Sequence, residues 1–262
     1  MIRRVGSVPQ VLNSGCMNSL DGFHCGGLPS KLVRCLRGGT RAMLTTGYNE
    51  YKYRIESKDI GLVTGYLDRI ARRSEPYFEG TVETTYYDSS SMLTYRQCRT
   101  GAARKIKFRK RRYNDSALGH FQIKTKNQFA VGKIKSAPTE WLADASWSEA
   151  LARLEGEPAK RIRLISETYP PLQAVIDIRY KRYRFELATM RITVDVDMEA
   201  SPCDALAGTT KSYIALNAGV LEVKARENRL LLPEAFLGRV RRASFSKFAF
   251  LLAALTDDQM AW

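Results

Sequence analysis

The chain has 262 residues, 44% of them hydrophobic and 10% aromatic, enough for one large domain or two small ones with a real apolar core, so disorder is not its default state. Its net charge of +15 calls for an anionic partner, whether nucleic acid, anionic membrane or a phosphate-rich small molecule, without choosing among them. With only His24 and His120, the composition argues against histidine-based acid–base chemistry and a His-rich metal centre.

Residues 1–42 carry six Arg or Lys against one acid, Asp21, which gives them a vague likeness to an organellar transit peptide. Pro9, the glycines and the lack of a sustained apolar face oppose an amphipathic helix, and Met43 stands just before the first good strand. The segment reads as a disordered arm or a gene-model extension, and residues 43–262 as the domain. Cys16, Cys25, Cys35, Cys98 and Cys203 form no CxxC pair and are odd in number, which points to reduced thiols and a cytoplasmic location. His24 beside Cys25 fits no zinc spacing. The longest apolar run, Phe248 to Leu255, is too short to span a membrane and reads as a buried helix.

A first strand is predicted over 48–56, followed by a covering helix over Ser57 to Arg73, in which Ile60, Val63, Tyr66, Leu67 and Ile70 recur at helical spacing. Thr81 to Asp88 is β-branched and aromatic, and Asp88 to Ser91 supplies a turn or cap before Met92 to Gln97. Strands follow at 103–113 and 118–126, joined by a turn at Asn114-Asp115-Ser116. Within 137–154, Ser146 and Glu149 form a capping box, and Trp141 and Trp147 read as packing residues. Leu172 to Arg184, Phe185 to Met198 and Val220 to Arg226 are three more strands. Pro233 opens a helix through Arg242, and Ser244 caps a last one through Leu255. The sum is an α+β chain of about eight strands with helices at its flanks.

The strands share an unusual pattern. In Arg104 to Tyr113, alternation puts Lys105, Lys107, Arg109 and Arg111 on one face and Ile106 and Phe108 on the other. Similar alternation recurs in Glu50 to Glu56, Gln122 to Lys126, Tyr180 to Arg184, Arg191 to Asp195 and Glu222 to Arg226. One polar face is ordinary in a half-buried antiparallel sheet, but six of mostly one sign repel across the ladder unless an anion fills the space between them. A sheet closed into a barrel would make those faces a basic tunnel.

Taken in order, Glu50 to Tyr53, Tyr86-Tyr87-Asp88 with Tyr95, Arg104 to Tyr113, Phe121 to Lys126, Tyr180-Lys181-Arg182, Arg191 to Asp195, Leu221 to Lys224 and Phe245 to Phe248 resemble the VTC domain of polyphosphate polymerases, within the CYTH or triphosphate tunnel metalloenzyme group. The resemblance implies an antiparallel eight-stranded β-barrel tunnel with flanking helices. Its implied activity is transfer of the terminal phosphoryl group of ATP to a growing polyphosphate chain, with Mn²⁺ or Mg²⁺. It implies that Arg109, Arg111 and Lys247 serve catalysis and that Lys52, Lys107, Lys124, Lys126, Arg182, Arg191 and Lys224 bind phosphate, with Glu222 and Glu50 holding the metal. ATP and inorganic polyphosphate are the implied partners, with neither nucleic acid nor a membrane span expected. The alternatives are a tripolyphosphatase using the same tunnel and a non-enzymatic polyanion or nucleic-acid binder.

Gln122 stands where the family commonly has an acid, and Tyr48 where hydrolase relatives have their leading acid, which favours the polymerase branch. Lys105, Lys110 and Arg112 read as solvated charges, Asp195 as an ion-pair partner of Arg191, and Lys247 is the weakest of the proposed site residues. Tyr86 and Tyr87 read as core, Asp88 as a cap.

Overall fold

The computed structural model describes residues 49–127, 130–141, 146–206, 208, 211–226, 232–244 and 246–258. Residues 1–48, Phe245 and the start of the first predicted strand at Tyr48 lie outside them.

Strand β1 (Asn49–Glu56) leads through a short 3₁₀ turn into helix α1 (Ile60–Ile70), β2 (Arg72–Arg73) and the long β3 (Glu79–Ser89). Helix α2 (Leu93–Arg99) starts where Asp88 collects four hydrogen bonds, from the backbone N–H groups of Ser89, Thr94 and Tyr95 and from the Thr94 hydroxyl. Asp88 therefore satisfies donors that the first turn leaves open. Next come β4 (Arg104–Tyr113), β5 (Leu118–Asn127), β6 (Ala130–Lys135), β7 (Thr139–Glu140), α3 (Trp147–Ala152) and α4 (Gly156–Ser166). The chain finishes with β8 (Leu172–Leu187), β9 (Met190–Pro202), β10 (Ile214–Leu216), β11 (Ala218–Ala225), α5 (Glu234–Leu237), β12 (Val240–Arg242) and α6 (Lys247–Leu255).

The twelve strands form one antiparallel sheet whose main path runs β12-β1-β11-β9-β8-β3-β4-β5-β6. This corrects the expected closed eight-stranded barrel: among the described residues β12 and β6 do not pair, and the sheet is a curled layer with an open seam. The curl is nonetheless deep, because Glu50 on β1 reaches Lys124 on β5, six strands away along the path, at 3.6 Å.

The convex side is apolar and covered toward its two ends. Helices α1 and α5 pack on Tyr53, Ile55, Val194, Leu221 and Val223, while α3 and α4 pack on Ile106, Phe108, Phe121 and Ile123 around Trp147. Helix α6, apolar along most of its length, fills one end of the concave side against Val82, Tyr86, Ile176, Tyr180 and Val220. Burying Phe248, Leu251, Leu252 and Leu255 there contributes roughly 1.5–3 kcal/mol per side chain.

Several boundaries differ from expectation: the helix predicted through Arg73 ends at Ile70, and Arg72 and Arg73 pair with β8 as a strand. The strand predicted to break at Arg184 runs on to Leu187, since Phe185, Glu186 and Leu187 continue the alternation, and the chain reverses at Ala188, which has positive φ. The helix expected from Pro233 through Arg242 stops at Leu237, and β12 then pairs Val240 with Ile55. Gly238, a poor helix residue, follows directly. The last helix is capped by Ser246 rather than Ser244, its hydroxyl accepting from the Ala249 N–H.

Candidate functional site

Strand register decides which side chains share the concave face. Lys52 is opposite Glu222, Glu50 opposite Lys224, Glu222 opposite Thr193, and Lys224 opposite Arg191. Asp195 is opposite Arg182, Tyr86 opposite Arg109, Thr84 opposite Arg111, and Lys107 opposite Lys124. Paired residues and those two apart on a strand face the same way. All twelve side chains proposed from the sequence thus lie on one side, with Lys247 supplied by the first turn of α6.

Arginines occupy the deep end and are held in place. Arg109 donates from Nε and Nη2 to Gln122 Oε1 at 3.1 and 2.9 Å and from Nη1 to the Tyr86 hydroxyl at 3.3 Å. Arg111 donates to Thr84 Oγ1 at 2.9 Å. Arg182 binds Asp195 through two parallel bonds of 2.6 and 2.8 Å, and Lys247 Nζ lies 2.6 Å from the same carboxylate. Asp195 is fully buried and serves Arg182 and Lys247, not Arg191 as the sequence suggested; Arg191 lies exposed at the rim, opposite Lys224 and Glu186. Lys247, whose side chain is 12% exposed, is an interior residue.

Lysines occupy the seam. Lys107 donates to Ser246 Oγ at 2.7 Å. Glu50 lies 2.8 Å from Lys52, 3.6 Å from Lys124 and 3.7 Å from Lys224, and Glu222 lies 3.3 Å from Lys224. Here a cavity of about 400 Å³ opens between the two ends of the sheet, lined in part by Glu50, Lys52, Lys105, Lys107, Lys124, Lys126 and Ser246. Lys126 stands exposed at its mouth.

Confinement of like charges shifts the protonation of these groups. Burial, with Arg111 beside it, pushes Arg109 down, and burial lowers Lys107. Burial, offset in part by Glu50, brings Lys124 down to about 8. Burial raises the Tyr86 phenol, but Arg109, Arg111 and Lys107 outweigh it and bring it down to about 7. Burial and Glu222 push the Glu50 carboxyl up, yet Lys52 and Lys124 prevail and hold it at about 2. Glu222 is held well below the usual carboxylate range by Lys52, Lys224, Arg182 and Lys247 against its own burial. The face is thus rich in fixed cations, with acids that stay ionised.

Glu50 and Glu222 sit on neighbouring strands, facing the same space. No group of three or more His, Cys, Asp or Glu that could hold a metal occurs among the described residues. That donor set fits a hard divalent ion held by one or two carboxylates and completed by phosphate oxygens, the usual habit of Mg²⁺.

Sequence reasoning missed Lys133, opposite Lys124 within β6; the residue as a whole is exposed, but partial burial of its ammonium and the nearby Arg109 bring it down to about 8. Its alternation with Ile134 and Lys135 carried the signal. It also misplaced Lys110, which is buried on the convex side with Nζ 4.2 Å from the Trp141 ring centroid instead of solvated. Trp141 also stacks on Arg112, which pairs with Glu83 at 2.7 Å.

The VTC domain family model matches residues 47–256. No curated protein matches the sequence significantly. Solved structures similar to the chain include the PH1819 protein of Pyrococcus horikoshii OT3, at 14% identity and a TM-score of 0.41 over 79% of this chain and 99% of that one. Another is HpAC1 from Hippeastrum, described as having a dominant triphosphatase activity, at 14% identity and a TM-score of 0.45 over 79% of this chain and 96% of that one. No helix among the described residues is long and apolar enough to cross a membrane.

Proposed function

The chain belongs to the VTC domain family, and from that membership and the chemistry of its concave face we propose that it is a polyphosphate polymerase that moves the terminal phosphoryl group of ATP onto a polyphosphate chain. The observation that carries the reading is the excess of inward cations. Lys52, Lys107, Arg109, Arg111, Lys124, Arg182, Lys224 and Lys247 converge there, against Glu50, Glu222 and Asp195. Cations at this density in a poorly solvated space need a polyanion as counterion.

Phosphoryl transfer asks the protein for position and charge more than for covalent chemistry. The acceptor is a terminal phosphate oxygen of the polymer, already anionic, so no general base is required. That oxygen forms a bond to the γ-phosphorus as the bond from γ-phosphorus to the ADP oxygen breaks. Arg109 and Arg111, oriented by Gln122, Tyr86 and Thr84, stabilise the charge on the transferring group with preorganised forks. Arg182 and Lys247, fixed by Asp195, hold the neighbouring phosphates. Lys107, Lys124 and Lys126 steer the chain along the seam. Glu222 and Glu50 would hold Mn²⁺ or Mg²⁺, which when bound neutralises phosphate charge.

Burial of Arg109 and Arg111, 9% and 7% exposed, favours an anion that enters the groove over a duplex laid across a surface. The open seam supports a second reading, a tripolyphosphatase, since it admits water as acceptor. Incubation of the protein with ATP and Mn²⁺ separates the two: a polymerase yields a ladder of long polyphosphate on a gel, a hydrolase only orthophosphate.

A further inference from the structure

Strand β9 presents Ile192, Val194 and Val196 to the convex core and Arg191, Thr193 and Asp195 to the groove. Thr193 is 7% exposed, and its hydroxyl oxygen has no hydrogen-bond partner among the described residues. On either side in register stand Glu222 and Arg184, and two positions along is Asp195 with Arg182 and Lys247.

A buried hydroxyl without a partner is a loss that folding tolerates only for a reason. Valine has nearly the same shape, suits a strand equally well, and stands at the next position of β9. The hydroxyl is therefore placed to serve a group that binds in the groove. In a groove lined by Arg182, Arg184 and Lys247, that group is an anion with acceptor oxygens, to which the hydroxyl can donate.

We propose that Thr193 is a direct phosphate ligand, its hydroxyl donating to an oxygen of the bound triphosphate or polyphosphate between Arg184 and Glu222. This rests on the phosphate-binding reading above, and it is independent of whether the enzyme polymerises or hydrolyses.

The role has a signature that a structural threonine cannot give. In T193V the ligand-free protein loses a buried unsatisfied group and melts at or above the wild-type temperature, yet binds tripolyphosphate about tenfold or more weakly, the loss expected for one hydrogen bond to a charged group. T193S, which keeps the hydroxyl, restores most of the affinity. Calorimetric titration of inorganic tripolyphosphate into the three proteins, beside their melting curves without ligand, makes the test. Equal affinity of T193V and wild type overturns the proposal, as does a lower melting temperature of ligand-free T193V, which would mean that the hydroxyl holds the fold. A wild type that fails to bind tripolyphosphate overturns it together with the phosphate-binding reading. A wild type that binds it but makes no polymer removes only the polymerase reading.

Discussion

Replacing Asp195 by asparagine removes one negative charge from between two interior cations while keeping the shape. The carboxylate is fully buried, accepts two bonds from Arg182 at 2.6 and 2.8 Å, and lies 2.6 Å from Lys247. Breaking such a pair costs about 3–5 kcal/mol, because the cations left behind stay buried. For a domain of this size each kcal/mol lowers the melting temperature by about 2–4 °C, so D195N should melt roughly 6–20 °C below wild type. Against its own burial, Arg182 and Lys247 hold the Asp195 carboxyl below its usual range. Its contribution is therefore complete above the unfolded aspartate value of about 4 and lost as acid carries the pH through the lower folded value. The gap between the two proteins should close in strong acid. Tripolyphosphate can replace the missing counterion, so it should raise the melting temperature of D195N by more than that of wild type. A D195N protein that melts within a degree of wild type at neutral pH, or that gains no more from tripolyphosphate, would refute the reasoning.

Further outcomes follow from the same geometry. E222Q should bind tripolyphosphate nearly as wild type does, yet lose roughly a hundredfold in ATP turnover across a Mn²⁺ titration if Glu222 holds the metal; near-normal turnover would sink that role. Raising the pH from 7 to 9 discharges Lys124 and ionises Tyr86, so tripolyphosphate affinity should fall. Both groups bind protons more weakly in the folded state than in the unfolded one, so the stability of the ligand-free protein should rise over that range, and melting curves with and without ligand should move oppositely. Q122E turns the neutral partner of Arg109 into a carboxylate, and should weaken tripolyphosphate binding in the absence of metal, measurable by calorimetry.

Much of the site is written in strand alternation. Lys52, Arg109, Lys124, Arg182 and Glu222 can be placed on one face because the period of a strand is two, whatever the sheet does next. What alternation leaves out is what covers each face. Lys110 falls on the convex side, which reads as solvent until the distant Trp141 folds over it. Asp195 could be paired with Arg191 on its own strand, but its partners come from β8 and α6, set by register and by helix docking. Closure is equally hidden: periodicity carries no signal for whether β12 and β6 meet. Gly238, which follows the single turn of α5, was visible, but the pairing of Val240 with Ile55 depends on a strand nearly two hundred residues earlier.

The most direct measurement is a crystal structure with tripolyphosphate and Mn²⁺. The account predicts phosphates in contact with Arg109, Arg111 and Arg182, and anomalous signal from manganese beside Glu222. Phosphate found only in the convex cavity around Arg112 and Arg179, with the concave face empty, would contradict it.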